Sequence, residues 1–218
     1  MHNGELLDSA FNESVVALLE KTDSLAPGPG DFRPISLLNT DYKILAGVIA
    51  ARLKVVLPSL VDETQTGFVP QRLILENLSF NRDVIDWSKA TRSPVVLAFL
   101  DFEKAFDRVS WSYRDAVLRE MGFPEPTLHA IRALYHSASC TLNVNGKLSR
   151  RIKQTRGVRQ GCPLSPFLFA LFVEPLGELM RDHAATLGLQ LPVTLGGLGG
   201  HHILCSQFAD DTTLYSDK

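Results

Sequence analysis

The chain has 218 residues, of which 45 % are hydrophobic and 21 % are charged, with a formal net charge of −2. This composition is typical of an ordinary globular protein with one large domain or two smaller ones, and the charge gives no global indication of nucleic-acid binding. The longest apolar runs, VVLAFL (95–100) and FLFALFV (167–173), are far shorter than the ~18–20 residues of a membrane-spanning helix, so no membrane partner is expected.

The N-terminal sequence and the cysteines predict an intracellular protein. MHNGELLDS has neither the basic nor the apolar region of a signal peptide. Three scattered cysteines, Cys140, Cys162 and Cys205, argue for a reducing compartment, the cytoplasm or the nucleus, and against a disulfide framework.

The first half of the chain is predicted to contain two helices. The apolar run VVALL (15–19) precedes a Pro/Gly-rich loop, SLAPGPGD (24–31). Two helices are expected to follow, one from about Asn39 to Leu57 that stops at Pro58 and one over about 72–90. The first has Ile44, Leu45, Val48, Ile49 and Leu53 on one stripe. In the second, three- and four-residue spacings separate Ile74, Leu78, Asn81 and Ile85.

The middle of the chain begins with a strand and continues with helices and a hairpin. After Pro94, VVLAFLD is apolar on both faces, which predicts a buried central strand. Ser110 can cap a helix that ends at Met121 before Gly122. Further expected elements are a helix from Pro126 with Leu128, Ile131, Leu134 and Tyr135 inside, a hairpin at Asn145-Gly146, and a buried helix over 165–182.

The last segment, HILCSQFADDTTLYS (202–216), divides into two strands around Ala209–Asp211. Aspartate tolerates turns far better than strand interiors, so Asp210 and Asp211 are expected at a hairpin tip. The preceding LGGLGG (195–200) predicts a flexible connection and lacks the Gly-Lys-Ser/Thr ending of a phosphate-binding loop.

Three carboxylates from neighbouring strands indicate a metal site. Asp101 follows the predicted central strand directly, where an acid by itself is usually a cap or turn residue. If Asp101 converges with Asp210 and Asp211, the three charges repel one another unless cations intervene. Two Mg²⁺ ions, ~3.5–4 Å apart, form the clamp used for phosphoryl transfer. Oxygen ligands favour Mg²⁺ or Mn²⁺, whereas a soft-metal site at His201, His202 and Cys205 lacks an evident fourth ligand.

The order of five short motifs resembles that of reverse transcriptases, and the sequences and spacing of the motifs are most similar to those of non-LTR (LINE-type) retrotransposons. The motifs are DFRPISLL, GFVPQR, LDFEKAFD, RQGCPLSP and FADD. The resemblance runs from about Lys21 to Tyr215 and implies an RNA-directed DNA polymerase that uses an RNA template, a DNA primer and dNTPs. It also implies an α/β (α+β) right-hand fold whose central antiparallel sheet is backed by helices, with residues of about 1–93 mainly in the fingers and about 94–218 mainly in the palm.

The resemblance also assigns the metal-binding and nucleotide-binding residues. Asp101, Asp210 and Asp211 are the catalytic carboxylates, and the backbone carbonyl of Phe102 is an additional metal ligand. Phe106 takes the place of the aromatic gate that excludes a ribose 2′-OH, in preference to a plain core role. The other residues that the resemblance places at the incoming nucleotide are Lys21, Arg33, Gln160 and Gly161. The residues after Lys21, TDSLAPGPG, differ from the Lys-Pro-Gly sequence that is common in the family.

A basic run, KLSRRIKQTRGVR (147–159), is either a solvated hairpin face or a strip that contacts phosphates. Its position directly before Gln160 favours the second interpretation. The candidate nucleic-acid-binding residues are Lys147, Arg150, Arg151, Lys153, Arg156 and Arg159, together with Arg72, which is either a template contact or a structural residue.

The sequence is also compatible with two other interpretations. A viral-type RNA-dependent RNA polymerase generally carries Gly-Asp-Asp at the catalytic turn and lacks the bulky gate, so FADD and Phe106 argue against it. A catalytically inactive remnant that binds nucleic acid is the stronger alternative. The chain stops seven residues after Asp211, which leads us to expect an incomplete palm and no thumb.

Overall fold

The computed structural model describes residues 9–21, 28–192 and 202–217. The α-helices are α1 (Thr40–Leu60), α2 (Ile74–Thr91), α3 (Ala105–Arg108), α4 (Trp111–Glu120), α5 (Glu125–Tyr135), α6 (Ser165–Asp182) and α7 (Ala184–Leu187). The strands are β1 (Glu13–Glu20), β2 (Phe32–Leu38), β3 (Val96–Leu100), β4 (Ser139–Val144), β5 (Lys147–Leu148), β6 (Ile152–Lys153), β7 (Leu189–Gln190), β8 (His202–Ile203), β9 (Cys205–Phe208) and β10 (Asp211–Ser216). Within these ranges no helix is long and apolar enough to cross a membrane. LGGLGG (195–200) lies outside them, as does much of the Pro/Gly-rich loop.

The chain forms two compact units, each built from two segments. The first unit contains Met1–Arg52 and Phe106–Leu168, and the second contains Leu53–Ala105 and Phe169–Lys218. The division into fingers over about 1–93 and palm over about 94–218 stays a prediction.

The first unit contains a mixed sheet in the order β2-β1-β4-β5, with β6 also paired to β4. Strands β1 and β2 are antiparallel, whereas β1 and β4 are parallel. Asn145 and Gly146 join β4 to β5 with φ angles of 51° and 81°, the positive values that a tight two-residue hairpin requires. Helix α5 buries the four residues predicted for it, Leu128, Ile131, Leu134 and Tyr135.

The second unit contains an antiparallel sheet in the order β3-β10-β9 and a small β7-β8 pair. One apolar cluster brings α2 against both sheets, and in it Phe80 meets Tyr215 edge to face with ring centroids 5.4 Å apart. The buried members of the cluster are Phe80, Val84, Leu189, Leu191, Ile203 and Tyr215. This packing fixes the strands that carry the aspartates.

Strand β3 is not the buried central strand that its apolar sequence predicts. It pairs only with β10 among the described strands, so it lies at the edge of the sheet. Phe99 is 69 % exposed and Val96 is 54 % exposed. An apolar run identifies a strand, but its burial depends on the elements that cover it.

The faces that α1 and α2 bury differ from the predicted stripes, although Leu53 of the α1 stripe is buried. Helix α1 buries Tyr42, Ala46, Ala50, Leu53 and Leu57, and it continues through Pro58 to Leu60. Ile44 and Val48, which are larger, are exposed. In α2 the buried residues are Phe80 and Val84, whereas Ile74, Leu78 and Ile85 are exposed. Both stripes keep helical spacing, but each is rotated from the prediction, because the neighbouring elements decide which face is covered.

Candidate active site

The hairpin of β9 and β10 carries the aspartate doublet as predicted. Phe208 pairs with Asp211 across the hairpin, so Ala209 and Asp210 form its two-residue turn. Strand β10 pairs with β3 so that Thr212 is opposite Leu100. The next position of this antiparallel register is Asp211 opposite Asp101. All three predicted catalytic carboxylates therefore lie at one end of one sheet.

The negative charges at the turn favour the binding of a cation. Asp210 is half-buried, while Asp101 and Asp211 are exposed. Burial raises the pKa of Asp210, and the negative charges of Asp211 and Asp101 raise it further, against a backbone hydrogen bond that lowers it. The ionised form of Asp210 is therefore disfavoured, and a bound cation would reverse that balance.

The protein oxygens at this site suit a hard divalent cation that a bound substrate would also coordinate. The carboxylates and the Phe102 carbonyl offer only oxygen, and that carbonyl also accepts a hydrogen bond from the Ala105 N–H at 3.3 Å. Within residues 9–21, 28–192 and 202–217, no group of three or more His, Cys, Asp or Glu forms a ready metal cage. Mg²⁺ is commonly held by one or two carboxylates together with water and substrate phosphates.

Cys205 is poorly suited to the alternative soft-metal site. The thiol is 1 % exposed, and burial raises its pKa to about 11, whereas a metal ligand must be the thiolate. His201 lies outside the described residues, so His202 and Cys205 are the two members of that alternative that the structure describes.

The first unit holds the predicted nucleotide-binding residues on segments joined by backbone contacts. Arg33 is exposed on β2, and three residues later the Ser36 N–H donates to the Gln160 carbonyl at 2.7 Å. Gly161 has a φ of 102°, and a Cβ there would lie 2.8 Å from the Ser36 oxygen. Only glycine fits such a position without strain, so Gln160 and Gly161 are fixed against the strand that carries Arg33.

Phe106 is anchored to the segment that precedes Gln160. Its carbonyl accepts a hydrogen bond from the Val158 N–H at 2.8 Å. At Gly157, with φ 82°, a Cβ would lie 2.8 Å from the Asp107 oxygen. Gly157 thus permits the close approach that joins the predicted gate to the Gln160–Gly161 turn.

Lys21 lies where β1 ends and the chain turns toward β2. Its N–H donates to the Asp31 carbonyl at 2.8 Å, and its exposed Nζ donates to the Gly30 carbonyl at 3.2 Å. The contact with Gly30 uses one of three ammonium donors, so the remaining two can meet a phosphate.

Five of the six basic side chains in the run 147–159 are exposed, namely Lys147, Arg150, Arg151, Lys153 and Arg156. Arg151 forms an ion pair with Glu13. Strands β5 and β6, which carry Lys147 and Lys153, both pair with β4. The run is therefore a solvated sheet edge, and its availability to phosphates stays a prediction.

Arg159 does not belong with the exposed basic residues. It is 1 % exposed, donates from Nε to Gln154 Oε1 at 2.9 Å, and donates from Nη2 to the Asn12 carbonyl. Its guanidinium carbon lies 5.0 Å from the centre of the Tyr42 ring. The predicted phosphate contact is thus wrong for Arg159, because internal acceptors and an aromatic face surround its charge.

The structure favours the structural role for Arg72. Its guanidinium donates to the backbone carbonyls of Val61 at 2.9 Å, Gln65 at 2.7 Å and Asp62. These contacts hold the loop 61–65 and occupy donors that a template phosphate would need. The nucleic-acid contact predicted for Arg72 is therefore not supported by its surroundings.

The buried position of Arg159 predicts a large effect on stability. Arg159→Ala should lower the free energy of unfolding by about 2–4 kcal/mol, because it empties a packed site and leaves buried acceptors without a donor. Chemical denaturation monitored by circular dichroism measures this change. Arg156→Ala, which removes an exposed arginine three residues away, should stay within about 0.5 kcal/mol of the parent chain. Equal stabilities of the two variants would contradict the buried role.

Sequence reasoning missed Gly67, Gly157 and Gln65. A Cβ at Gly67 would lie 2.1 Å from the Ala209 nitrogen, and the Gln65 side chain contacts the same turn. Gly67 opens the GFVPQR motif, and that position is the one local signal that could have drawn attention to it. Nothing in the local sequence indicates the partner of Gln65, which is 144 residues away.

The chain is similar to one known protein family and to proteins of two transposable elements. Residues 19–218 match the reverse transcriptase (RNA-dependent DNA polymerase) family. The chain is 37 % identical over 197 residues to the transposon TX1 uncharacterized 149 kDa protein of Xenopus laevis. It is 32 % identical over 193 residues to the Pol polyprotein of the type-2 retrotransposable element R2DM of Drosophila melanogaster. Each alignment covers 88 % of this chain, which spans 14 % and 17 % of the two relatives' lengths.

A solved telomerase shares the fold. The structure of telomerase from Candida tropicalis with a fragment of telomeric RNA superposes with a TM-score of 0.59 at 13 % identity, covering 98 % of this chain and 37 % of that chain. The predicted right-hand polymerase fold is thereby confirmed. The family match over residues 19–218, together with the two relatives from non-LTR elements, shows that the chain belongs to the reverse transcriptase family.

Proposed function

We propose that this chain is the nucleotidyl-transferring part of an RNA-directed DNA polymerase, which adds dNTPs to the 3′-OH of a DNA primer on an RNA template. The observation that carries the proposal is the register of β3 with β10, which puts Asp101 and Asp211 at the same end of one sheet beside the Asp210 turn. Family membership supports the same reaction.

Asp101, Asp210, Asp211 and the Phe102 carbonyl would hold two Mg²⁺ ions, or Mn²⁺ in their place. When bound, such ions lower the pKa of an attacking hydroxyl and neutralise charge on the transferred phosphoryl group. The residues themselves present their oxygens at one end of the sheet, beside the β9–β10 turn. Carboxylates without a histidine or thiolate partner select hard cations over zinc.

The predicted nucleotide-binding residues would hold the phosphates and the sugar of the dNTP. Arg33 suits a triphosphate because its guanidinium is planar and permanently charged, and Lys21 adds a second cation. Phe106 would occupy the volume of a 2′-OH, and the Gln160–Gly161 turn would pack beside the new base pair. The backbone contacts of Ser36 with Gln160 and of Val158 with Phe106 support a fixed geometry for these parts.

The compartment proposed for this reaction is intracellular. Cys140, Cys162 and Cys205 are all free thiols, and all are buried. Proteins without disulfides are usual in the reducing cytoplasm and nucleus.

The exposed basic run should contribute nonspecific affinity for nucleic acid. Changing Lys147, Arg150 and Arg156 together to alanine should reduce the slope of log affinity against log salt by about 2–3 on an RNA/DNA hybrid, since each phosphate contact releases close to one counterion. Filter binding over a range of salt concentrations measures the slope. The triple change Lys43, Arg52 and Lys54 to alanine, which removes three exposed cations of helix α1, is the matched control. Equal slopes for the two triple variants would contradict a phosphate-contacting strip.

Primer extension tests the proposed function directly. The purified chain should extend a DNA primer on an RNA template with dNTPs and Mg²⁺, and EDTA should abolish extension. Filter binding on the same RNA/DNA hybrid separates catalysis from binding. Binding without extension would instead favour a noncatalytic nucleic-acid-binding protein.

A further inference from the structure

The segment Thr64–Gly67, termed here the supporting segment, lies along the outer side of the catalytic hairpin. The Gln207 N–H donates to the Thr64 carbonyl at 2.7 Å, and the Thr66 N–H donates to the Gln207 carbonyl at 2.9 Å. These bonds form a parallel bridge between Gln65 and Gln207. The end of β9 is thus flanked by β10 on one side and by the supporting segment on the other.

Gln65 connects this segment to the turn itself. Its side-chain Oε1 accepts hydrogen bonds from the Ala209 N–H at 3.0 Å and from the Gly67 N–H at 2.7 Å. Its Nε2 donates to the Ala209 carbonyl at 3.3 Å. Gln65 is 1 % exposed, so both functions of its amide are used inside the protein. Ala209 directly precedes Asp210, and its backbone is therefore held on both sides of the α-carbon.

Gly67 allows the segment to approach the turn. A Cβ at this position would lie 2.1 Å from the Ala209 nitrogen and 2.9 Å from the Ala209 α-carbon. Both neighbours are backbone atoms, so a side chain could be accommodated only if the turn moved. The requirement for glycine here is steric.

The turn needs external support because Ala209 adopts an unfavourable conformation. Its φ of 57° lies in the left-handed region, which residues with a Cβ seldom occupy. Such a conformation persists where the surrounding contacts determine it. The bonds from Gln65 to the Ala209 amide and carbonyl are contacts of this kind.

The supporting segment is itself restrained from behind. Arg72 Nη1 donates to the Gln65 carbonyl at 2.7 Å, and Thr64 donates from its N–H to Asp62 Oδ1 at 2.9 Å. Arg181 contacts Thr64 Oγ1 at 3.4 Å. The Gln65 amide therefore reaches Ala209 from a fixed backbone.

We propose that Gln65 and Gly67 are positioning residues for catalysis, which hold Ala209 in its left-handed conformation and thereby fix the direction in which Asp210 presents its carboxylate. This inference rests on the proposed function of Asp210 as a metal ligand. It assigns to the GFVPQR motif and the residues before it a role that neither charge nor exposure would reveal.

Gly67→Ala and Gln65→Ala test the proposal, with Gly47→Ala as the matched control because a Cβ at Gly47 meets nothing within 4 Å. Binding of Mn²⁺, followed by electron paramagnetic resonance without nucleotide or primer, should weaken about 10-fold or more in both test variants, as for residues that orient metal ligands. Extension should fall about 100-fold at limiting Mg²⁺ and recover in part at high Mg²⁺. The control should match the parent chain in both measurements.

A rescue experiment separates positioning from a general loss of structure. Ala209→Gly removes the conformational penalty of a positive φ. The double variant Gln65→Ala/Ala209→Gly should therefore bind Mn²⁺ at least about 3-fold more tightly than Gln65→Ala alone. A purely structural role would change the melting temperature without changing Mn²⁺ affinity per folded molecule. Test variants with unchanged Mn²⁺ affinity, or a double variant without recovery, would overturn the inference.

The same measurements distinguish this inference from the proposed function. If the parent chain binds Mn²⁺ but does not extend primers, the polymerase proposal fails while the Mn²⁺ affinities of the variants still decide the role of Gln65 and Gly67. If extension is present and Mn²⁺ affinity is unchanged in the variants, the positioning role fails and the polymerase proposal stands. If the parent chain extends primers but binds no Mn²⁺ without nucleotide, the polymerase proposal stands, and the Mg²⁺ dependence of extension in the variants decides the role of Gln65 and Gly67.

Discussion

Asp210→Asn and Asp101→Asn should each reduce primer extension by about 10³-fold or more. Each change removes a negative oxygen ligand from a two-metal site, and a loss of about 4 kcal/mol in transition-state stabilisation corresponds to that factor. Single-turnover extension at saturating dNTP measures it. Asp83→Asn, an exposed aspartate of α2 in the same unit, is the matched control and should retain full activity.

The stability of Asp210→Asn should separate this loss from misfolding. Burial and the neighbouring negative charges raise the pKa of Asp210, so its ionised form is less stable in the folded chain than in the unfolded one. A neutral amide removes that penalty, and the melting temperature at neutral pH should stay the same or rise. Extension that survives in either variant would contradict the metal-binding assignment. A large decrease in the melting temperature of Asp210→Asn would contradict the electrostatic interpretation of the turn.

Phe106→Ala should relax the discrimination between dNTPs and NTPs by about 10- to 100-fold, the range in which steric pockets discriminate. The ring excludes the 2′-OH by occupying its volume, so its removal should raise kcat/KM for NTPs more than it changes kcat/KM for dNTPs. Competitive incorporation of the two sugars opposite one template base measures the ratio.

The backbone contact of Phe106 allows the effect of its side chain to be tested separately. Its carbonyl bond with the Val158 N–H does not depend on the side chain, so the segment should keep its place in the alanine variant. Phe123→Ala, which removes another half-buried ring in the same unit, controls for a general loss of packing. Sugar discrimination that is equal in the two variants would show that Phe106 is a core residue rather than a gate.

Local signals in the sequence located most of the elements. Helix α4 begins after Ser110 and ends before Gly122, whose φ of 76° explains the stop. Asn145-Gly146 makes the predicted hairpin, and α6 covers Ser165–Asp182 as expected. The Ser110 side chain makes no capping hydrogen bond, so the determining local chemistry is a residue that tolerates positive φ or a sustained apolar run.

The direction in which side chains point was less predictable. Ile44 of α1 is apolar and on a regular stripe, yet it is exposed, while the smaller Ala46 is buried. Arg159 ends a basic run and yet packs on Tyr42. Periodicity specifies that a helix has an apolar face, but the covering elements select the face and can satisfy a charge internally.

The sequence by itself therefore determined the family, the main helices and the position of Asp210 and Asp211 at a hairpin tip, because short motifs and local turn chemistry carry that information. Only the tertiary structure decided that β3 lies at an edge, that Arg159 and Arg72 are occupied by internal acceptors, and that Gln65 holds the turn at Ala209. These facts depend on contacts between residues that are distant in the chain. The physical reason is that burial and hydrogen bonding are satisfied by whichever groups the fold brings together, whatever their separation in sequence.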